Sequence, residues 1–208
     1  MLKLHSLAYS RAIRVAWLLE NLDTPYEVIG YDRTEAFRAP DALKAVHPLG
    51  KSPVIEDDGL TLAESSAILR YVDMTYGGGR HEPEPGTRAY FEHAEWLDYA
   101  ESTAAGPILA AAMDKAAGKD TAPEDPRMAA QLDTNLDYMA DRLADRDFVM
   151  GDTLMLADIQ MSYLFSLLEM AGRLEDRPVL AAYWQRLQAH PGFKAATEKC
   201  GPMSPPSS

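Results

Sequence analysis

Residues 50–70 read GKSPVIEDDGLTLAESSAILR. Ser52-Pro53 leads into a short apolar run, Val54-Ile55, and Glu56-Asp57-Asp58-Gly59 follows with the Asp-Gly pair that marks a tight hairpin turn. Leu60-Thr61-Leu62 supplies the return strand, and Ala63-Glu64-Ser65-Ser66 opens a helix whose apolar residues Ala67, Ile68, Tyr71 and Val72 fall at helical spacing. Pro53 stands just ahead of the strand, where a proline costs no ladder bond. A cis bond there would bend the chain and turn the N–H and C=O of Val54 outward, toward an extended peptide. Ser65 sits at a helix N-terminus, where unpaired N–H groups and the dipole favour an anion such as a carboxylate. Glu64 beside it suits an ammonium, so the pair suits an α-amino acid end. Taken singly, Pro53 can equally just start an edge strand and Ser65 can equally just cap a helix.

Upstream, residues 1–6 alternate weakly with Leu2 and Leu4 on one face and suit a strand. Residues 11–21 carry Val15, Leu18, Leu19 and then Leu22 at i, i+3, i+4 and i+7, an amphipathic helix. Residues 25–31 read as a second strand and 37–46 as a short helix joined at Pro40. The order β-α-β-α-β-β-α gives a parallel pair and then an antiparallel one. This is the order of a thioredoxin-like domain, here without redox cysteines, over residues 1–76.

Residues 77–86, GGGRHEPEPG, are glycine- and proline-rich and read as a domain linker. Residues 87–200 contain only helical patterns, an all-α bundle: one long helix over 87–117 or two meeting near Gly106-Pro107, a connection at 120–125, and helices over 126–146, 156–171, 178–190 and 193–199. Residues 156–171 are apolar nearly all round, which marks the buried central helix. Residues 201–208, GPMSPPSS, read as a disordered tail. The fold class is therefore α/β plus all-α.

The chain of 208 residues is long enough to bury a substantial core without disulfides or metals. A net charge of −12 argues against nucleic acid held through phosphates and against a Lys/Arg-driven membrane surface. The single cysteine, Cys200, excludes an internal disulfide, and a reducing, cytoplasmic compartment is the simplest reading. Residues 1–20 lack the apolar core of a secretory signal; Arg11 and Arg14 with few acids would also suit a transit peptide, but the segment has a better use as strand and helix. No apolar run approaches a membrane span, and the five histidines show no metal-ligand spacing.

The central stretch resembles the glutathione site of the cytosolic glutathione S-transferases: a Pro-Val strand, an Asp-Gly hairpin, then Glu-Ser opening a helix. Three further runs carry the resemblance. Ser10-Arg11-x-x-Arg14 followed by Trp17-Leu18-Leu19-Glu20 looks like the first helix of a bacterial and fungal branch. His47 to Pro53 matches the approach to the family's cis-proline, and Gly151-Asp152 with Ala157-Asp158-Ile159 matches the start of its buried helix. One departure stands out: the family usually has Ser or Thr three residues before that Asp, as a capping box, and this chain has Met155.

The resemblance implies a transferase that joins glutathione to small apolar electrophiles, in detoxification, with glutathione as co-substrate, no cofactor, and a homodimeric assembly. A glutathione-dependent peroxidase or isomerase, or a non-catalytic binding module on the same fold, are the alternatives. Thiol–disulfide exchange is a weaker one, because no cysteine lies near residues 6–14. The family places a thiolate-stabilising donor after the first strand or at the start of the first helix. Ser10 is the first candidate, with a plain helix cap as its equal alternative; Tyr9 is the second and Ser6 the third. The resemblance further implies that Lys51 reaches the glycyl carboxylate, that Val54 holds the cysteinyl backbone, that Glu64 and Ser65 hold the γ-glutamyl end, and that Ser52 and Pro53 belong to the same glutathione-binding stretch. Arg14, one turn after Ser10, reads as a structural ion-pair partner. The electrophile pocket is expected between the domains, from the loop after the first strand and residues around 99–113.

Overall fold

The computed structural model describes residues 1–119 and 125–205. Most of the connection expected at 120–125, and residues 206–208 of the expected tail, lie outside the described residues. The described residues divide into two compact units, residues 1–81 with 189–203, and residues 82–188 with 204–205.

In the first unit, β1 (Leu2–Leu7), α1 (Ala12–Asn21), β2 (Tyr26–Tyr31), α2 (Asp41–Val46), β3 (Val54–Asp57), β4 (Leu60–Ala63) and α3 (Ser65–Gly77) follow the expected order. The sheet order is β2-β1-β3-β4, with β1 and β2 parallel and the other neighbours antiparallel. β1 is an inner strand, so it is buried on both faces rather than alternating. Asp58 and Gly59 both take positive φ, 44° and 82°, as a two-residue hairpin turn requires. Asp57, 7% exposed, accepts hydrogen bonds from the hydroxyls of Tyr71 (2.9 Å) and Tyr76 (2.5 Å), which ties the hairpin to α3. The short helix begins later than expected, after Pro40, whose extended backbone (ψ 161°) places it at the cap. Phe37 lies outside the helix, with φ +57°.

In the second unit, α4 (Arg88–Tyr99) passes through a π-helical turn (Ala100–Ala104) into α5 (Ala105–Ala116). The break precedes Gly106-Pro107 because Pro107 has no N–H for the carbonyl of Thr103 and its ring crowds that turn. α6 (Pro126–Leu143), α7 (Leu156–Met170) and α8 (Pro178–Ala189) complete the unit. Every residue of α7 from Leu156 to Leu168 is buried. Its start is held by Asp158, which accepts from the N–H of Met155 (2.9 Å), the N–H of Val149 (2.9 Å) and the hydroxyl of Tyr183 (2.8 Å). The return hydroxyl bond of a capping box is absent, since residue 155 is Met; the N–H of Asp158 pairs with the carbonyl of Met155 (3.0 Å).

Two expectations about the chain's end change. α9 (Pro191–Cys200) packs on α1, in the first unit and not in the bundle. Gly192 permits this close approach: a Cβ there would stand 2.0 Å from Asn21 Oδ1 and 2.8 Å from Trp17 Cδ1. With α9 over it, α1 is buried almost all round, including Trp17 at 0% exposure. The expected disordered tail is also ordered in part. Gly201 (φ +78°) turns the chain after α9, Met203 is 3% exposed, and Ser204 Oγ accepts from Ser166 Oγ at 2.8 Å.

Candidate active site

The candidate site is built from the β1–α1 loop, the start of β3 and the start of α3, all within the first unit. The Ser52–Pro53 bond is cis. Val54 follows it, fully buried, opposite His5 of β1 on one side and Ala63 of β4 on the other. Ser52 ties this bend to β1. Its hydroxyl accepts from the N–H of Leu7 (3.0 Å) and donates to the C=O of His5 (2.9 Å).

Ser10, 8% exposed, lies with its Oγ 3.2 Å from Ser52 Oγ. A hydroxyl carries one proton, and that of Ser52 goes to His5, so Ser10 donates in this pair. Ser10 Oγ also accepts from the N–H of Ala12, the first residue of α1, at 3.3 Å. Ser10 thus precedes the formal cap position, Arg11, yet satisfies the helix's first N–H. Tyr9 is half-buried and holds φ +55°, stacked on Phe37. The third candidate, Ser6, points elsewhere. It is buried in β1 and its hydroxyl bonds the Cys200 thiol; burial raises that thiol's pKa, and the bond only partly offsets the rise.

α3 starts at Ser65, with Glu64 at its cap position and no side-chain cap bond. Ser65 therefore does not serve as a simple cap. Its hydroxyl, 5% exposed, accepts from Arg14 Nη1 at 3.1 Å. Arg14 itself is fully buried in α1. Its charge lies beneath the same helix N-terminus whose dipole is positive, so both fields attract an anion to Ser65. Glu64 is exposed and adopts φ 71°, ψ 114°, a conformation that costs an L-residue on the order of 1–3 kcal/mol and clusters at ligand sites. Lys51 is exposed and follows Gly50, where a φ of +56° and Lys44 Cγ only 2.7 Å from a would-be Cβ make any side chain strained.

The structure thus links Ser10 with Ser52 and Arg14 with Ser65, beside the cis bond at Pro53. The sequence reads Arg14 as an ion-pair partner; the structure adds its bond to Ser65, and its spacing one turn after Ser10 is the local signal for that placement. Arg33 was missed. Its guanidinium donates to the carbonyls of Ala8 (2.9 Å), Tyr9 (2.9 Å) and Phe37 (3.1 Å), and no local pattern announces that reach. Among the described residues no group of His, Cys, Asp or Glu side chains is arranged to hold a metal ion, and no helix is long and apolar enough to cross a membrane.

A family model described as glutathione S-transferase, N-terminal domain, matches residues 1–74. Glutathione S-transferase 3 of Schizosaccharomyces pombe is 31% identical over 177 residues, covering 78% of this chain and 72% of that protein. Glutathione S-transferase 1 of Saccharomyces cerevisiae is 47% identical over a shorter span of 78 residues, 35% of this chain and 33% of its own length. A solved glutathione S-transferase from Actinobacillus pleuropneumoniae matches with a TM-score of 0.84 and 32% identity, over 96% of this chain and 93% of that one.

Proposed function

The chain belongs to the glutathione S-transferase family, and from that premise we propose that it conjugates the thiolate of glutathione to small apolar electrophiles. Glutathione is a consumed co-substrate. A free thiol has a pKa of about 8.5, so only a few per cent is ionised at neutral pH, and the enzyme's task is to favour the anion. After the thiol proton leaves for solvent, the sulfur lone pair forms the C–S bond. The leaving group, a halide for instance, departs with the electrons of the bond that breaks.

The observation that carries this reading is the buried Arg14 donating to Ser65 at the N-terminus of α3. A cation and a helix dipole converging on one small hydroxyl suit a carboxylate. In the proposed pose Ser65 and Glu64 hold the γ-glutamyl end, Val54 the cysteinyl backbone after Pro53, and Lys51 the glycyl carboxylate. Ser52 positions Ser10, and Ser10 donates to the sulfur, with Tyr9 as the second candidate donor. A homodimer, a cytoplasmic location and a detoxifying role are part of the proposal. Exposed apolar residues on α3 and α4, Met74 (62%) and Phe91 (64%), support the dimer, which light scattering at micromolar concentration checks.

A non-catalytic glutathione-binding module is the second reading, favoured by the engagement of the Ser10 hydroxyl with Ser52 and Ala12. Retention on immobilised glutathione together with turnover of an activated aryl halide supports the enzyme. Retention without turnover of any electrophile supports the module.

A further inference from the structure

The pairing of β1 with β2 gives its last support to the β1–α1 loop at Ala8, whose N–H donates to the C=O of Tyr31 at 2.9 Å. Tyr9 and Ser10 lie beyond it. Tyr9 there takes φ +55°, left-handed backbone that a bulky residue adopts only where its surroundings hold it.

Arg33, half-buried in the loop after β2, supplies that hold. One edge of its guanidinium grips two consecutive carbonyls, Nε donating to Ala8 and Nη2 to Tyr9, each at 2.9 Å. Nη1 donates to the C=O of Phe37 at 3.1 Å. That carbonyl belongs to a loop closed by its own bonds, Phe37 N–H to Thr34 C=O (2.8 Å) and Thr34 N–H to Arg38 C=O (2.9 Å), so the clamp is anchored at its far end. A planar guanidinium meets two neighbouring acceptors in one fixed orientation, and its charge strengthens both bonds.

Ser10 is held differently, through its hydroxyl. Oγ donates to Ser52 Oγ and accepts from the N–H of Ala12. A hydroxyl has one proton, so donation to a thiolate gives up the bond to Ser52. The backbone ahead of Ser10 then depends on the two carbonyl bonds to Arg33, and the hydroxyl keeps only its bond from Ala12.

We propose that Arg33 is a positioning residue for the thiolate: its fork on Ala8 and Tyr9 keeps the Ser10 hydroxyl aimed at the glutathione sulfur once that hydroxyl has left Ser52. The proposal rests on the glutathione transferase reading. Arg33 acts through the backbone and not by contact with the sulfur, so its charge alone does not suffice. A lysine at this position keeps the charge but is a point donor that cannot hold two carbonyls in one plane.

The test reads the thiol itself. Ultraviolet absorbance of the thiolate, followed against pH, gives the pKa of glutathione bound to the wild type, Arg33→Gln and Arg33→Lys. Calorimetry gives the affinity of each for S-methylglutathione, which has no thiol to ionise. Both variants should raise the pKa of bound glutathione by about one unit, leaving about tenfold less thiolate below that pKa. S-methylglutathione should bind both within about twofold of the wild type. Arg33→Lys decides the outcome even if Arg33→Gln does not fold. An Arg33→Lys chain that keeps the wild-type pKa overturns the proposal, since charge alone then suffices. An unchanged pKa with weaker binding of S-methylglutathione also overturns it, since Arg33 would then only shape the loop. If the wild type leaves bound glutathione at the pKa of the free thiol, or does not bind S-methylglutathione, the transferase reading fails and the positioning role fails with it.

Discussion

The hydroxyl of Ser10 lies 3.2 Å from that of Ser52, whose own proton is committed to the carbonyl of His5. In this geometry the Ser10 proton points at Ser52, and donation to a thiolate would mean a change of acceptor, from a neutral hydroxyl to an anion. Bonds to charged acceptors are the stronger ones, so the exchange favours the thiolate.

Ser10→Ala should raise the pKa of bound glutathione and reduce kcat about tenfold to a hundredfold, with little change in glutathione affinity. The pH–rate profile with an activated aryl halide checks this. A mutant that loses stability but keeps its profile would leave Ser10 only its bond to Ala12. Tyr9→Phe should be milder; if it alone lowers turnover, the donor is Tyr9. Ser52→Ala should lower stability as well, by about 1–3 kcal/mol, because it strips partners from Leu7 N–H and His5 C=O besides releasing the Ser10 hydroxyl.

Ser65→Ala removes the hydroxyl on which Arg14 and the N-terminus of α3 converge. Loss of one charge-assisted bond predicts glutathione binding weaker by about tenfold or more, read by calorimetry. Unchanged affinity would take Ser65 out of the site.

Asp158 supplies a pH dependence of stability. Its carboxyl is fully buried, and desolvation pushes its pKa from 3.8 up to about 6, against the pull of its bonds from Met155, Val149 and Tyr183. The folded state thus keeps a proton that the unfolded chain has released between about pH 4 and 6. Stability attributable to this group falls as pH rises through that window and levels off above it, by an order of magnitude of about 3 kcal/mol. Denaturant melts of the wild type and Asp158→Asn, compared at each pH, should show this slope only in the wild type. A difference between the two that does not vary across the window would refute it.

Gly192→Ala places a Cβ 2.0 Å from Asn21 Oδ1 and 2.8 Å from Trp17 Cδ1. The Asn21 side chain can turn aside, but Trp17 is fully buried, T-stacked on Phe193 at 5.3 Å, and bonded through Nε1 to His190 Nδ1 at 3.3 Å. The substitution should destabilise the chain by about 1–3 kcal/mol, and adding Asn21→Ala should recover only part of it. A thermal melt that matches the wild type would show that α9 shifts away from α1 without penalty.

Local chemistry was legible in the sequence wherever a pattern spans a few residues. The hairpin follows from Asp58-Gly59, which tolerate positive φ, and the buried α7 follows from a run apolar on every side. The order of strands and helices, and the candidate stretch from Lys51 to Ser65, needed no more than such periods and turns. Tertiary structure decided which distant residues share a site. Arg14 meets Ser65 across 51 positions, Ser10 meets Ser52 across 42, and Arg33 meets Tyr9 across 24. It also returned α9 to α1 and buried Met203, where the sequence pattern suggested a bundle helix and a loose tail. The physical reason is range. Periodicity reports which face of one element is apolar, whereas the partner of a buried charge or of a glycine-lined helix face is chosen only when the whole unit packs.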